Sequence, residues 1–306
     1  MPADLLPDLP AWLSVVCGAV LGLLVGSFLN VVIYRLPRIL ERQWAAEARE
    51  IVAGDAAADI PAAAPGGVET APAERFNLLI PRSHCLSCGH PIAWYENIPV
   101  LSYLALRGRC SACRAPIGVR YPLVELLTGV LFAFCAWRWG LTWSALAWCG
   151  FAAALVALAG IDWDTTLLPD GLTLPLLWAG LIAAALKLTD VPVADAVWGA
   201  AAGYLALWAV YWAFKLTTGK EGMGYGDFKL FAALGAWLGW QGLLPVILLA
   251  SIAGVIVGLA LKAASRLREG GMVPFGPFLA LGGLAAMLAG PHTLLSFILE
   301  TAVDRL

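Results

Sequence analysis

Charged residues are scarce in this sequence, and several common sequence signals are missing. Only 13% of the 306 residues are Asp, Glu, Lys or Arg, whereas 61% are hydrophobic and the mean hydropathy is +0.81. A soluble domain usually carries about 25% charged residues, so an ordinary soluble protein is excluded. No basic patch indicates nucleic-acid binding, and no glycine-rich loop indicates a nucleotide cofactor. The N-terminal flank holds Asp4 and Asp8 but no Lys or Arg, so it lacks the basic region of a cleaved signal peptide.

The sequence contains long apolar runs. They predict an all-α polytopic membrane protein whose outer surface contacts membrane lipid. A run of about 20 apolar residues is enough to cross a bilayer as a helix. We predict eight transmembrane helices: Ala11–Tyr34, Leu123–Trp137, Trp143–Ile161, Leu172–Leu188, Val193–Phe214, Phe228–Trp240, Leu243–Leu261 and Phe275–Leu299. The sixth is short for a full span and is also compatible with a partly re-entrant segment.

The distribution of Lys and Arg predicts the orientation, because cytoplasmic loops are enriched in both residues. If successive segments alternate sides, one side carries ten basic residues in residues 35–120 and six more in two later loops. The other side carries only Arg138, Lys187 and Arg305. The long loop is therefore predicted to be cytoplasmic, and both chain ends to lie outside the cytoplasm.

The organisation predicted from these patterns has three parts: a first transmembrane helix within residues 1–34, a cytoplasmic loop over 35–122, and a seven-helix membrane core over 123–306. Within the loop, residues 43–74 are rich in Ala, Pro, Gly and acidic residues, which predicts a disordered insert. An alternative interpretation is a short surface helix over Leu40–Ile51, where charged and apolar residues mix at loose helical spacing.

Two CxxC pairs lie in the second half of the loop, within residues 81–120. Their cysteines are Cys85, Cys88, Cys110 and Cys113, and four thiolates with this spacing are typical of a tetrahedral structural zinc site. Two disulfides or four free thiols are the alternatives. A reducing cytoplasm favours thiolate-bound zinc over disulfides.

Acidic residues at the ends of apolar segments are the candidates for catalysis. Asp227 follows Gly222, Gly224 and Gly226 and begins an apolar segment, and Asp162 follows another. Ionisable groups near bilayer depth are costly and therefore usually functional, although Asp227 capping its own helix is the alternative. The predicted topology places both on the cytoplasmic face, where two close carboxyl groups sharing one proton perform aspartic-protease chemistry.

Neighbouring charged residues have more ordinary interpretations. Asp164 would point away from Asp162 on a helix; the alternative is that Asp164 is the partner of Asp227. Asp170 is predicted to cap the following helix. Lys229 is predicted to meet lipid phosphate, or alternatively to keep Asp227 ionised. Glu125 is predicted to pair with a loop arginine or to contact substrate.

Several motifs in order resemble the type IV prepilin peptidases, integral membrane aspartyl proteases of bacteria. They comprise Gly26–Pro37, Pro81–Cys85, Trp94–Pro99, Arg107–Cys110, Arg120–Glu125, an aspartate seven residues before a proline (Asp162, Pro169) and the Gly-x-Gly-Asp motif ending at Asp227. The resemblance implies an inner-membrane enzyme that removes a short basic leader from prepilins or type II secretion pseudopilins. It also implies Asp162 and Asp227 as the catalytic pair and, in many members, N-methylation with S-adenosylmethionine, whose site the sequence does not locate.

Two other classes of function remain as alternatives. A proton-coupled transporter also uses intramembrane carboxylates beside glycine-broken helices, but the two halves of this chain show no matching segments. A scaffold organised by the cysteine pairs would need no paired aspartates. The oligomeric state is not indicated by any pattern.

Overall fold

The computed structural model describes residues 10–58, 76–265 and 273–303, and these residues are almost entirely helical. The α-helices are α1 (Ala11–Ala58), α2 (Leu101–Ala105), α3 (Arg120–Trp139), α4 (Trp143–Thr165), α5 (Asp170–Ala185), α6 (Val193–Thr218), α7 (Tyr225–Leu238), α8 (Leu243–Ala263), α9 (Gly276–Ala289) and α10 (Pro291–Val303). The all-α polytopic membrane fold is thereby confirmed, since all eight predicted segments are helical.

The predicted number of eight membrane spans is not confirmed. Within the described ranges, five helices are long and apolar enough to cross a membrane: α1, α3, α4, α6 and α8. The last predicted segment is two helices, α9 and α10, bent by 107° at their junction, and counting them as one broken span gives six. The remaining segments, α5 and α7, have 16 and 14 residues. At about 1.5 Å per residue, neither reaches the roughly 30 Å of a bilayer core.

Helix α7 is short because it lies inside the bundle. Every residue from Leu230 to Leu238 is buried, and so are Asp227 and Phe228. On one side α7 packs against α6 at Gly199 and Gly235, where a Cβ on either glycine would collide with the backbone of the other helix. A helix enclosed by protein does not need to match the thickness of the bilayer. The ends of α7 can therefore lie deep within the bundle.

Helix α1 runs far beyond the predicted first span. It continues without a break to Ala58 through Pro37, so the prediction of disorder is wrong for residues 43–58. The alternative helix over Leu40–Ile51 is correct. Residues 41–53 are all exposed, and Ala, Glu, Arg and Gln are strong helix formers, which explains a helix that needs little packing. The rest of the insert, residues 59–74, lies outside the described residues.

Small residues on α1 allow it to pack closely against α3, as their spacing every four residues predicts. A Cβ on Gly18 would lie 2.8 Å from the Phe132 carbonyl oxygen, and one on Gly22 would lie 2.6 Å from the Thr128 oxygen. Neither position has room for a side chain. The two helix backbones are therefore in direct contact along the seam.

Residues 76–119, which we call the cysteine lobe, sit at the end of the bundle where α1 leaves it and α3 begins. Buried Arg35 of α1 donates to the Asn77 carbonyl at 3.1 Å. Glu125 of α3 accepts a hydrogen bond from the Val100 amide at 2.7 Å. Because successive helices alternate in direction, the end of α4 and the starts of α7 and α9 lie at this same end, which we call the lobe end.

Candidate active site and metal centre

Asp162 lies in the last turn of α4, at the lobe end of the bundle. Its side chain is buried, with 4% of the residue exposed. One carboxylate oxygen, Oδ2, accepts a hydrogen bond of 2.9 Å from the backbone amide of Gly276, the first residue of α9. The free N–H groups at a helix N-terminus favour negative charge, so the start of α9 holds this carboxylate in place.

Asp227 is the third residue of α7 and lies in its first turn. The helix begins at Tyr225 with Gly224 as N-cap, so Asp227 is not the N-cap residue that the alternative supposed. Asp227 is 7% exposed. Among the residues that the structure describes, its Oδ1 atom has no hydrogen-bond partner. Buried polar atoms without partners are rare and costly, which makes this carboxyl group a candidate for a functional role.

The two aspartates come together although 65 positions separate them in the chain. Leu168 connects them, because it packs against Gly226, which precedes Asp227, and against Gly276, whose amide binds Asp162. A Cβ on Gly226 would lie 2.6 Å from Leu168 Cβ, and one on Gly276 would lie 3.1 Å from Leu168 Cδ1. Both positions need glycine for this close approach, which explains the glycine immediately before Asp227.

Other acidic residues near the pair are engaged in ion pairs. Arg120 Nη1 donates to both carboxylate oxygens of Asp164, at 2.8 and 2.6 Å, so Asp164 lies beside the start of α3. Lys229 donates to both carboxylate oxygens of Asp170 at 2.7 Å. Lys229 therefore pairs with Asp170, and its predicted contact with lipid phosphate stays a prediction. Asp170 does not cap α5 either, because Pro169 occupies the N-cap position.

The cysteine lobe contains two knuckles with the same backbone pattern. In the first, the Cys85 amide donates to the His90 carbonyl at 2.9 Å, and in the second, the Cys110 amide donates to the Ala115 carbonyl at 2.9 Å. Each turn passes through one residue with positive φ, Gly89 at 72° and Arg114 at 62°. The two knuckles therefore present their sulfur atoms in the same way.

The four sulfur atoms form a group that fits a metal ion. All lie within 4.8 Å of one another, and Cys85 Sγ is 3.8 Å from Cys113 Sγ. A tetrahedral ion with metal–sulfur distances of about 2.3 Å would hold its sulfurs about 3.8 Å apart. Backbone hydrogen bonds from Ser87 and Cys88 lower the pKa of the Cys85 thiol to about 6, which favours its thiolate form. A backbone hydrogen bond at His90 lowers the pKa of Cys88, but the neighbouring Cys113 thiol and burial outweigh it and raise that pKa to about 11.

The two histidines of the lobe lie outside this group. His84 Nδ1 is 3.0 Å from the Arg82 carbonyl oxygen, and His90 Nε2 is 3.5 Å from Glu96 Oε2. Hydrogen bonds from Ser111 and from the Ala93 amide lower the pKa of Glu96. Glu96 is therefore ionised at neutral pH and held at a fixed place in the lobe.

Three supporting contacts escaped the sequence analysis. Gly276 was not predicted to meet Asp162, although a glycine at the start of an apolar segment is the same signal that singled out Asp227. The role of Leu168 has no sequence signal, because any medium-sized apolar residue fits the pattern. Glu125 bonds the Val100 amide, so its predicted pairing with a loop arginine is wrong.

Comparison with known proteins places both sites within matched regions. Residues 20–139 match the bacterial peptidase A24 N-terminal domain, and residues 149–259 match the type IV leader peptidase family. A protein of Stutzerimonas stutzeri named prepilin leader peptidase/N-methyltransferase is 50% identical over 93% of this chain and 93% of its own length. Proteins of the same name from Pseudomonas aeruginosa and Aeromonas salmonicida are each 52% identical, over 90% and 91% of this chain and 90% and 92% of their own lengths. No solved structure matches the chain.

Proposed function

Because the chain belongs to the type IV leader peptidase family, we propose that it is a membrane aspartic endopeptidase that removes the short basic leader from type IV prepilins or type II secretion pseudopilins. The observation that carries this proposal is the pair of buried carboxyl groups, Asp162 and Asp227, at the lobe end of the bundle. Their helices are distant in the chain, and each aspartate is supported by glycines that leave no room for side chains.

In the proposed mechanism the two carboxyl groups share one proton. The unprotonated carboxylate takes a proton from a water molecule, whose oxygen attacks the carbonyl carbon of the scissile peptide. The protonated carboxyl group donates its proton to the carbonyl oxygen, so the tetrahedral intermediate is neutral. Its collapse breaks the C–N bond, and the leaving nitrogen takes up a proton from the dyad. The Gly276 amide keeps Asp162 in position throughout this sequence.

A second activity is proposed from the name that the relatives carry. The new N-terminus of the mature pilin would receive a methyl group from S-adenosylmethionine, which supplies an electrophilic methyl on a sulfonium. Cys85, Cys88, Cys110 and Cys113 would hold one structural zinc ion, because a set of four thiolates suits zinc. The metal would order the cysteine lobe and take no part in peptide hydrolysis.

The apolar helices and the family indicate a multi-pass protein of the bacterial inner membrane. We further propose that the lobe end faces the cytoplasm and that both chain ends lie outside it, since basic residues concentrate in the loops at the lobe end. This orientation brings the dyad to the face from which prepilins, with their basic leaders, would approach. The proposed substrates and the proposed orientation therefore agree.

Cleavage by purified protein in detergent is the direct test of this function. A prepilin-like peptide carrying a basic leader should lose that leader in the absence of any ion gradient, and mass spectrometry should show one added methyl group when S-adenosylmethionine is supplied. The transporter alternative predicts gradient-dependent flux and no cleavage, and it has no support among the relatives. Intact peptide after incubation with folded protein would refute the proposed function.

A further inference from the structure

The cysteine lobe exposes large apolar side chains on α2 and on the short 3₁₀-helix before it, Trp94–Asn97. Trp94 is 81% exposed, Tyr95 is 60% exposed, and Leu101 and Leu104 are each 64% exposed. We call these four residues the apolar patch. Exposed apolar patches mark surfaces that contact a protein or a membrane, so this part of the lobe has a binding partner to be identified.

Helix α2 turns its polar side chain inwards and its apolar side chains outwards. Ser102 is buried, donates to the Tyr95 carbonyl at 2.7 Å and accepts a bond of 2.9 Å from the Ile98 amide. These bonds hold α2 beside the 3₁₀-helix. Leu101 and Leu104 are three positions apart and share the exposed face of α2. In a helix surrounded by water the apolar face turns inwards, whereas in a segment lying in a membrane interface it turns towards lipid.

The hydrogen bond between Val100 and Glu125 places α2 at the level of the membrane surface. Val100 directly precedes α2, and its amide donates to Glu125 Oε2 at 2.7 Å. Helix α3 has 20 residues, so its length of about 30 Å just matches a bilayer core. Glu125 lies about 7.5 Å from the first residue of α3, and helical side chains lean towards the N-terminus of their helix. The Glu125 carboxylate is therefore level with the first turn of α3, where acyl chains give way to headgroups.

The composition around the apolar patch also suits a lipid surface. The patch adjoins α3, a helix long and apolar enough to span the membrane, on which Leu123, Leu126 and Leu127 are exposed. Trp and Tyr, the two aromatic residues of the patch, are enriched where acyl chains meet headgroups. Arg107 and Arg109 follow α2 and are both exposed, and long basic side chains at this level reach lipid phosphate. Aliphatic, aromatic and basic residues thus occur together, as they do in interfacial segments.

We propose that the apolar patch inserts into the bilayer leaflet at the lobe end, so that the cysteine lobe lies on the lipid surface and does not project away from it. The partner of the patch is phospholipid: acyl chains contact Leu101 and Leu104, and headgroups surround Trp94 and the two arginines. Arg35 and Glu125 already hold the lobe to α1 and α3, and lipid provides its third attachment. This inference does not depend on the proposed peptidase activity.

Photo-cross-linking in lipid vesicles tests the contact directly. The intact protein, with Leu104 replaced by the photoreactive amino acid p-benzoylphenylalanine, is reconstituted into vesicles of phosphatidylethanolamine and phosphatidylglycerol and illuminated. Because Leu104 is exposed, the replacement removes little packing within the lobe. Mass spectrometry should find a phospholipid adduct on the peptide that contains position 104.

Trp44 provides the matched control, because it is an exposed apolar residue far from the bilayer. Asn30 of α1 donates to the Tyr121 carbonyl at 3.1 Å, so Asn30 is level with the start of α3. Trp44 lies further along the same helix, about 21 Å beyond that level. The same photoreactive residue at position 44 should give no lipid adduct. Equal lipid adducts at both positions, no lipid adduct at position 104, or an adduct there to a second copy of the chain would overturn the proposal.

Hydrogen exchange of the protein in the same vesicles provides a second test. In Leu101→Gln with Leu104→Gln, the amides of residues 101–106 should exchange at least about tenfold faster than in the wild type, because two leucine side chains no longer hold α2 in lipid. Ile51→Gln with Val52→Gln, on the exposed part of α1, is the matched control and should leave that exchange unchanged. Unchanged exchange within α3 verifies that the leucine variant is folded. Equal exchange of residues 101–106 in the wild type and the folded leucine variant would contradict the proposal.

Discussion

The aspartate pair and the cysteine lobe position their functional side chains in opposite ways. The four cysteines lie within residues 85–113, on two turns with the same backbone pattern, and three of them are partly or fully exposed. The two aspartates are buried and depend on the end of α4, the start of α7, the start of α9 and Leu168 between them. A site built from local turns tolerates change elsewhere in the fold, whereas one built from distant helices depends on every contact between them.

The largest effect among the supporting residues is expected at Gly276. Gly276→Ala would place a Cβ 2.6 Å from Asp162 Oδ2, forcing the carboxylate to move. A misplacement of about 1 Å at a catalytic group costs roughly 100-fold in rate, so leader cleavage should fall by about that factor while the protein stays in the membrane. Gly171→Ala is the control, since a Cβ there meets no atom within 4 Å. Equal activity of the two variants would show that the α9 contact does not position Asp162.

A smaller effect on cleavage is expected when the metal site is removed. In Cys88→Ser with Cys113→Ser, purified protein should lose about one zinc per chain, because four thiolates form a structural site. The lobe should then lose its order, since metal binding and folding are coupled in such small units. The methylated fraction of the product should collapse, and cleavage should be reduced less. Wild-type protein without bound metal in the same assay would refute the site.

The smallest effect is expected at the surface ion pair between Arg120 and Asp164. Both side chains are more than a third exposed, and exposed pairs contribute only about 0–1 kcal/mol. Asp164→Asn should therefore change leader cleavage by no more than about threefold, with unchanged expression. Peptide cleavage rates at matched protein concentration provide the measurement. Complete loss of activity in a folded variant would mean that Asp164, and not Asp162, is the partner of Asp227.

The same contrast explains how much the sequence could predict. The knuckles were predictable because CxxC spacing alone brings two sulfurs together. The membrane helices were predictable from their apolar runs. The small residues of α1 at every fourth position indicated close helix packing, although they did not specify α3 as the partner. Asp162 and Asp227 were singled out because carboxyl groups at the ends of apolar segments are conspicuous, and both are buried in the structure.

What the sequence could not predict depends on contacts between distant segments. The bond from Gly276 to Asp162 and the ion pairs of Asp164 and Asp170 join different helices, and no local pattern specifies their partners. The predicted eight membrane spans are not confirmed among the described residues, for a related reason. A hydropathy pattern does not distinguish a helix facing lipid from one enclosed by other helices, as α7 is. The helix over residues 43–58 was predicted only as an alternative and only to Ile51, because its high content of charge and alanine resembles both an exposed helix and a disordered chain.

Rates of leader cleavage by Asp162→Asn, Asp227→Asn and the double variant test the account most directly. If the two carboxyl groups act as one unit, each single variant should lose at least about 1,000-fold, and the double variant should be scarcely slower, since effects within a catalytic unit do not add. Asp164→Asn, assayed beside them, should retain cleavage. A single variant at Asp162 or Asp227 that is folded in the membrane and cleaves at the wild-type rate would contradict the paired-aspartate site.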